Sequence, residues 1–460
     1  MALVLVAALA RAGGAQEPSQ PPPSPEPGRA ASQPEPAPQQ PTFRTGINFV
    51  RVDVIVSDRK GTPLGDLTAA DFEVFEDGKP QAIEQFKFIK VDGNPQPGDA
   101  PARQIRSTYD EETEAARDDV RLFVIFFDDY HTRVGSALAV KEPLTRFVRQ
   151  QLGPNDLVAI MYPLTPLDAI TLTRNHDSVV SAIQRFEGRK FRYDPRNEFE
   201  ERYANYPTEI VEQIRNQVVM TALRGLSSRL GSLREGRKAI IFVSEGFTSM
   251  LPPQMRNPIA TMPGLGNPNA RDPLAGENNP REETARLFSE ADLLSQMRDV
   301  WDAANRNNAA IYALDPRGLA GFEYGIEEGV GLQMDARGLQ SSQDTLRTLA
   351  GETDGRAIVN RNDLAKGLEQ VVRDSSAYYL IGYNSSQAPN DGKFHQIRVR
   401  VKRPGVDVRA RKGYWAPTVE DTARAVAGPK AAPPKAVQQA IASISTPGGR
   451  TGAGNRAVRT

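Results

Sequence analysis

The hydrophobic and polar positions alternate in short segments near both ends of the folded part of the chain. Residues 49–57 place four valines on one face, which predicts a strand buried on one side. Asp77-Gly78 is the dipeptide of a tight hairpin turn, and we expect 83–91 to be its return strand. Further strands are predicted at 377–384, 395–402 and 406–410. Because neither group of strands is large enough for a sandwich, we expect the N-terminal and C-terminal strands to pair.

Between these two groups the pattern changes to continuous apolar stretches separated by helical periodicity. Such stretches are typical of strands that are buried on both faces, as in a parallel sheet. The predicted strands are 121–127, 156–162, 238–243, 309–314 and 356–359, and the predicted helices are 136–152, 177–186, 209–233, 284–307, 341–350 and 363–374. The alternation predicts an α/β fold with a doubly wound, mostly parallel sheet and an additional β domain. In such sheets ligands bind beyond the carboxyl ends of the strands, where Asp128, Glu245 and Asp315 stand.

The ends of the chain carry signals of export. Residues 1–15 contain a short apolar stretch followed by small residues, which predicts a secretory signal peptide and a secreted or periplasmic protein. The apolar stretch is too short to span a bilayer, which takes about 20 residues. Residues 16–42 are rich in proline and predict a disordered linker, and 418–460 predict a disordered tail.

Composition removes several classes of function. The 57 basic and 57 acidic residues give no net charge, which argues against a nucleic-acid partner. The chain has no cysteine and only three histidines, so disulfides and thiolate metal sites are excluded and a Ser-His-Asp centre is hard to build. The composition therefore favours a protein that is not an enzyme.

Several segments resemble, in their order along the chain, the VWFA-related domain family of acidobacterial-type secreted proteins. The similar segments are 66–78, 121–132, 236–246, 311–317, 378–383 and 411–414. The resemblance covers roughly 43–416 and implies a von Willebrand A (Rossmann-like) domain associated with β structure. The predicted domains are then an N-terminal β module (43–115), a von Willebrand A-like domain (116–376) with loop insertions at 188–208 and 250–282, and C-terminal strands (377–417).

The resemblance also implies a metal site at the carboxyl edge of the parallel sheet. In the family's pattern, Asp-x-Ser-x-Ser, a threonine and a later aspartate hold Mg²⁺ or Mn²⁺. Here the first motif starts at Asp128 and has Tyr130 in place of the first serine, with a phenol too long to reach the same ion. Two interpretations stay open, a degenerate site with weak or no metal binding and an adapted Mg²⁺ or Mn²⁺ site. The ligands of the adapted site would be Asp128, Asp129, Thr132 and Glu245.

These observations favour an exported, non-enzymatic protein that mediates protein–protein interaction or adhesion at the cell envelope. The expected contact surface is the upper face of the α/β domain, with Tyr130, His131 and Asp315 as candidate partner-binding residues. The partner is an unidentified protein, and no membrane span is expected.

A second hypothesis is a phosphohydrolase of the haloacid-dehalogenase type. Asp128-x-Tyr130-x-Thr132 after an apolar strand partly matches that family's Asp-x-Asp-x-Thr, and Asp128 would attack phosphorus as the nucleophile. Tyr130 replaces the aspartate that acts as general acid there.

Overall fold

The computed structural model describes residues 49–95, 101–249, 251–252, 255, 280–387, 391–416 and 418–419, without the side chains of 280–286 and 327. The predicted signal peptide and linker, most of the insertion at 250–282 and nearly all of the predicted tail lie outside the described residues.

The described strands and helices follow the alternation of the sequence pattern. The strands are β1 (Phe49–Ser57), β2 (Phe72–Glu76), β3 (Lys79–Gln81), β4 (Gln85–Lys90), β5 (Leu122–Phe127), β6 (Leu157–Met161), β7 (Lys238–Val243), β8 (Ala309–Leu314), β9 (Ala357–Ile358), β10 (Ala377–Asn384), β11 (Phe394–Val401), β12 (Asp407–Ala410) and β13 (Gly413–Trp415). The α-helices are α1 (Thr108–Ala115), α2 (Val134–Arg146), α3 (His176–Gln184), α4 (Glu198–Glu201), α5 (Thr208–Leu233), α6 (Pro280–Arg306), α7 (Leu332–Glu352) and α8 (Leu364–Ser376). Among these helices, none is both long and apolar enough to cross a membrane.

A five-stranded parallel sheet lies at the centre of the middle segment, in the order β6-β5-β7-β8-β9. Every residue of β5, β7 and β8 is buried. One face of the sheet packs against α1, α5, α6 and α7, and the other packs against α2, α3 and α8. The prediction of an α/β fold with a doubly wound parallel sheet is therefore confirmed. The strand order reverses at β5, which makes the β5–β7 edge the place where such sheets bind ligands.

The remaining strands form two antiparallel sheets, each of which mixes strands from both ends of the chain. One has the order β12-β1-β10-β4 and the other β13-β11-β2-β3. Their inner faces share one apolar core, in which Val52 and Tyr379 of the first sheet meet Phe72 and Ile397 of the second. The N-terminal and C-terminal strands thus pair with one another and together form one β sandwich.

The predicted hairpin turn is present, but its predicted return strand is wrong. Asp77 and Gly78 both have positive φ, 47° and 79°, as a tight hairpin turn requires. The strand that returns is β3, not 83–91. The chain then crosses to the other sheet, where β4 pairs with β10. Alternation identifies a strand but not its partner, because both sheets bury one face against the same core.

We expect Tyr379→Phe to lower the free energy of unfolding by about 1–3 kcal/mol, because it leaves one buried and one half-buried backbone group unpaired. The Tyr379 hydroxyl donates to the Leu64 carbonyl at 2.9 Å and accepts the Leu67 N–H at 3.0 Å. Urea denaturation measures the change as a shift of the midpoint at constant slope. Tyr109→Phe is the control, since Tyr109 is 70% exposed. Equal midpoints for both variants would contradict the assignment.

Candidate functional site

The carboxyl ends of β5, β7 and β8 bring acidic residues to one edge of the parallel sheet. Asp128 follows β5, Ser244 and Glu245 follow β7, and Asp315 follows β8. The sheet ladder continues into these residues, because the Asp128 N–H donates to Val243 O at 3.0 Å and the Ser244 N–H donates to Leu314 O at 3.1 Å. Asp128, Glu245 and Asp315 therefore share the edge that the sequence predicts for them.

Asp128 is fully buried, and both of its carboxylate oxygens take part in hydrogen bonds. It accepts hydrogen bonds from the Ser244 hydroxyl at 2.7 Å and the His131 backbone N–H at 3.2 Å, and His131 Nδ1 lies 2.9 Å from its second oxygen. His131 Nε2 is buried without a hydrogen-bond partner among the described residues. Ser244 bonds to the aspartate and not to the histidine, so the three side chains are not in the order of a hydrolytic triad.

Lys190 places its ammonium group between two buried carboxylates. Its Nζ lies 3.2 Å from Glu245 Oε2 and 2.5 Å from Glu323 Oε1. Glu245 also accepts the Arg133 backbone N–H at 2.8 Å. Burial alone would raise the pKa of Glu245, but Lys190 and Arg317 bring it below the ordinary value. Lys190 thus keeps Glu245 ionised inside the protein.

Arg317 is a second buried cation at the same edge. Its guanidinium donates to both oxygens of Asp315, with Nε 2.9 Å from Oδ1 and Nη2 2.8 Å from Oδ2. It also donates to the Glu323 carboxylate and to the Glu245 carbonyl. Burial raises the pKa of Asp315, and Arg317 opposes that rise. Lys190 and Arg317 therefore meet at Glu323.

The predicted insertion at 188–208 folds onto this edge and supplies part of it. The Arg189 N–H donates to Asp129 O at 2.8 Å, and the Arg189 side chain bonds to Asp129 Oδ2 at 2.7 Å and to Glu200 Oε2 at 2.7 Å. The Tyr130 hydroxyl donates to the other Glu200 oxygen at 2.9 Å. Burial alone would raise the pKa of Glu200, but the bonds from Arg189 lower it to about 2.

We call the whole set of paired side chains the edge network. It consists of Asp128, Asp129, His131, Arg189, Lys190, Glu200, Glu245, Asp315, Arg317 and Glu323. The sequence predicted the acidic residues after the strands but missed Arg189, Lys190, Glu200, Arg317 and Glu323. No motif marks these residues, and the contacts that bring them together, such as those of Lys190 with Glu245 and Glu323, join loops far apart in the chain.

The predicted metal ligands lie at this edge but do not converge on one point. Among the described residues, three donor side chains of the His, Asp or Glu type lie within metal-binding distance of one another only at Glu76, Asp77 and His395, which are not at this edge. Instead, Arg189 pairs with one predicted ligand and Lys190 with another. A divalent ion at this place would lie beside two positively charged side chains, which repel it. The observed arrangement of these donors therefore does not fit Mg²⁺ or Mn²⁺. The predicted ligands are Asp128, Asp129, Thr132 and Glu245, and the Thr132 hydroxyl is buried without a partner in the described part of the chain.

The predicted partner-binding residues are covered rather than exposed. Tyr130, His131 and Asp315 have at most 1% of their surface accessible. An exposed part of this edge is the segment 318–334, which follows β8 and extends into the first turn of α7, and which we call the edge loop. Its exposed apolar side chains are Leu319, Phe322, Ile326, Leu332 and Met334.

The edge loop is held in place by Glu323 and by the helix that follows. The Glu323 carboxylate binds Lys190 and accepts the Ser342 hydroxyl of α7 at 2.8 Å. Asp335 Oδ1 accepts the backbone N–H groups of Glu323 and Tyr324 at 2.9 and 2.8 Å. The loop therefore presents Phe322 beside a fixed anchor.

We expect Lys190→Met to lower the free energy of unfolding at pH 7 by about 3–5 kcal/mol, because two buried carboxylates lose a shared cation. Chemical denaturation measures the loss. Lys366→Met, at an exposed position of α8, is the matched control and is expected to change stability by less than about 0.5 kcal/mol.

The loss is expected to depend on pH. In the wild type, the folded-state pKa of Glu245 is lower than that of the unfolded chain, so its contribution is complete above about pH 4.5 and disappears as the pH falls further. Without Lys190, the pKa of Glu245 loses the largest influence that lowers it and rises because of burial, so acid relieves part of the unpaired charge. The deficit of Lys190→Met relative to wild type should therefore shrink between pH 7 and pH 5. A deficit that stays constant over this range would contradict the role of Lys190.

Comparison with known proteins does not identify a function for this edge of the sheet. No family model matches the chain, and no curated protein matches it. The observed architecture is a mixed α/β fold with a parallel sheet and two antiparallel sheets. The von Willebrand A-like identity stays a prediction from the sequence, and the edge has to be interpreted from its own contacts.

Proposed function

We propose that this protein is an exported, non-enzymatic von Willebrand A-like protein that binds a partner protein at the cell envelope through the edge loop. The observation that carries the proposal is the exposure of Phe322 (64%), Ile326 (99%) and Leu332 (76%) on one segment of the ligand-binding edge. Large apolar side chains exposed together mark interaction surfaces in water-soluble domains. The resemblance of the sequence to secreted VWFA-related proteins supports the same conclusion.

The edge network supports this function by fixing the loop before a partner arrives. Glu323 is tied to Lys190 and Arg317, and the Arg133 side chain donates to the Glu323 carbonyl. A loop that is already ordered loses little conformational entropy on binding, so more of the contact energy contributes to affinity.

We infer that the predicted metal site is degenerate and that the contact does not need Mg²⁺ or Mn²⁺. Arg189 and Lys190 supply the positive charge that an ion would supply beside Asp129 and Glu245. The partner is then recognised by apolar contact and not by a carboxylate ligand to a bound ion.

The contacts of Asp128 weigh against the phosphohydrolase hypothesis. A nucleophilic carboxylate has to reach phosphorus, whereas both Asp128 oxygens are engaged by Ser244 and His131 and the side chain has no accessible surface. Tyr130, which stands at the general-acid position, donates its proton to a hydrogen bond with Glu200.

The docking surface is tested with the double variant Phe322→Asp and Ile326→Asp. We expect capture of the partner from an envelope extract, quantified by mass spectrometry after cross-linking, to fall at least about tenfold, as for loss of interface anchors. The melting temperature should stay unchanged, because both side chains are exposed. Leu138→Asp is the matched control, since Leu138 is 61% exposed on α2, outside the edge loop. Equal capture of the same proteins by the wild type, the double variant and the Leu138→Asp control would overturn the proposal.

The absence of a metal requirement is tested by calorimetric titration with Mg²⁺. We expect no saturable heat for the wild type, because Arg189 and Lys190 already pair with the predicted ligands. Saturable binding that is lost in Asp128→Ala and in Thr132→Val would show an adapted ion site instead. Thr132→Val is included because it removes a predicted ligand oxygen with little change of shape.

A further inference from the structure

A second cluster of ligand-type side chains lies in the β sandwich, on a different part of the fold from the edge network. Glu76 ends β2, Asp77 begins the hairpin turn, and His395 lies on β11, the strand that pairs with β2. One donor atom from each of the three residues lies within 4.8 Å of the other two. The pairing of β2 with β11 fixes this approach, since Glu76 stands opposite Ile397.

The Glu76 carboxylate has one oxygen that lacks a partner. The side chain is fully buried, and its Oε1 accepts the Ser385 hydroxyl at 2.6 Å and the Tyr414 hydroxyl at 3.2 Å. Its Oε2 has no hydrogen-bond donor among the described residues. A buried carboxylate oxygen without a donor is costly, and a cation would remove that cost.

The neighbouring Tyr383 hydroxyl is also buried without a partner in the described ranges. Its side chain is fully buried and lies close to the Glu76 carboxylate. It can therefore donate a hydrogen bond to a ligand oxygen or to a water molecule at this place.

His395 is oriented as a metal-binding histidine would be. Its Nδ1 lies 2.7 Å from Asp77 Oδ2, and its Nε2 lies 3.2 Å from Asp391 Oδ1. Histidine ligands commonly donate their second N–H to a carboxylate, which fixes the ring and leaves the other nitrogen free to bind the ion. Asp391 provides that carboxylate. Asp77 is oriented too, since its Oδ1 accepts the Gln396 N–H at 2.8 Å.

We propose that Glu76, Asp77 and His395 form a binding site for a divalent transition-metal ion, for which Zn²⁺ is the natural probe. A nitrogen of imidazole with two carboxylates favours such an ion over Mg²⁺ or Ca²⁺, which prefer oxygen ligands only. In a tetrahedral zinc site, bond lengths of about 2.0–2.2 Å place neighbouring ligand atoms roughly 3.4 Å apart. Asp77, which is exposed, has to move by less than about 1 Å from His395 to reach that spacing.

The ion would join the hairpin turn to β11. Because Asp77 is exposed, the ion would be accessible to water on the side of that residue. The donors come from two strands that are far apart in sequence but paired in the sheet, so binding stabilises the folded state selectively. This site is independent of the edge loop, and its presence or absence does not change the proposed function.

The test is zinc titration of the full chain without a histidine tag, followed by calorimetry and by thermal unfolding. We expect saturable binding of one Zn²⁺ at micromolar concentration and a rise of the melting temperature. Glu76→Gln and His395→Ala should abolish binding, and Asp391→Asn should weaken it about 10–100-fold, as for other outer-shell partners.

Two matched controls separate this site from binding elsewhere. His176→Ala removes a histidine outside the cluster, and Glu73→Gln removes an exposed carboxylate from the same strand. Both should bind zinc as the wild type does. Since Glu76 is buried, Glu76→Gln can also alter folding, and NMR spectra of the wild type provide a second readout. Added Co²⁺ should shift the imidazole signals of His395 and leave those of His176 in place. No saturable zinc binding by the wild type, or equal binding by His395→Ala, would overturn the proposal.

Discussion

The buried ammonium group of Lys190, shared by Glu245 and Glu323, is the contact on which the carboxyl edge of the parallel sheet depends. Carboxylates at this edge are buried because the strands that carry them are buried, and a buried charge is tolerated only when it is paired. Lys190 and Arg317 provide that pairing from within the chain. Both cations are side chains of the chain itself, so this pairing forms whenever the chain folds.

The same contacts organise the loops around the edge. Lys190 comes from the segment after α3 and Glu323 from the segment after β8, so one ion pair joins two loops that sequence separates widely. The ion pair of Lys190 with Glu323 holds the edge loop in place without burying its apolar side chains. Phe322 therefore stays exposed next to Glu323, which is held by that ion pair. The sandwich shows the opposite condition, since the Glu76 carboxylate is buried there without a full set of donors in the described residues.

Local patterns predicted the elements well and their partners poorly. The alternation of β1 and the continuous apolar stretches of β7 and β8 fix those strands by side-chain period alone, and the structure has them at the predicted bounds. The return strand after Asp77-Gly78 was wrong, because 83–91 alternates equally well for either sheet. Helix α1 was missed, since its sequence is mostly polar and carries little periodicity.

The sequence by itself determined the parallel sheet and the acidic residues at its carboxyl edge, because both follow from the order of residues within single strands. Only the tertiary structure decided what those residues do. Tyr130 is covered by a segment that the sequence presents as a loop insertion, and the cations that pair with the edge come from that insertion and from the loop after β8. Contacts between distant segments depend on how the chain packs, so they cannot be predicted from the periodicity of side chains within one strand or helix.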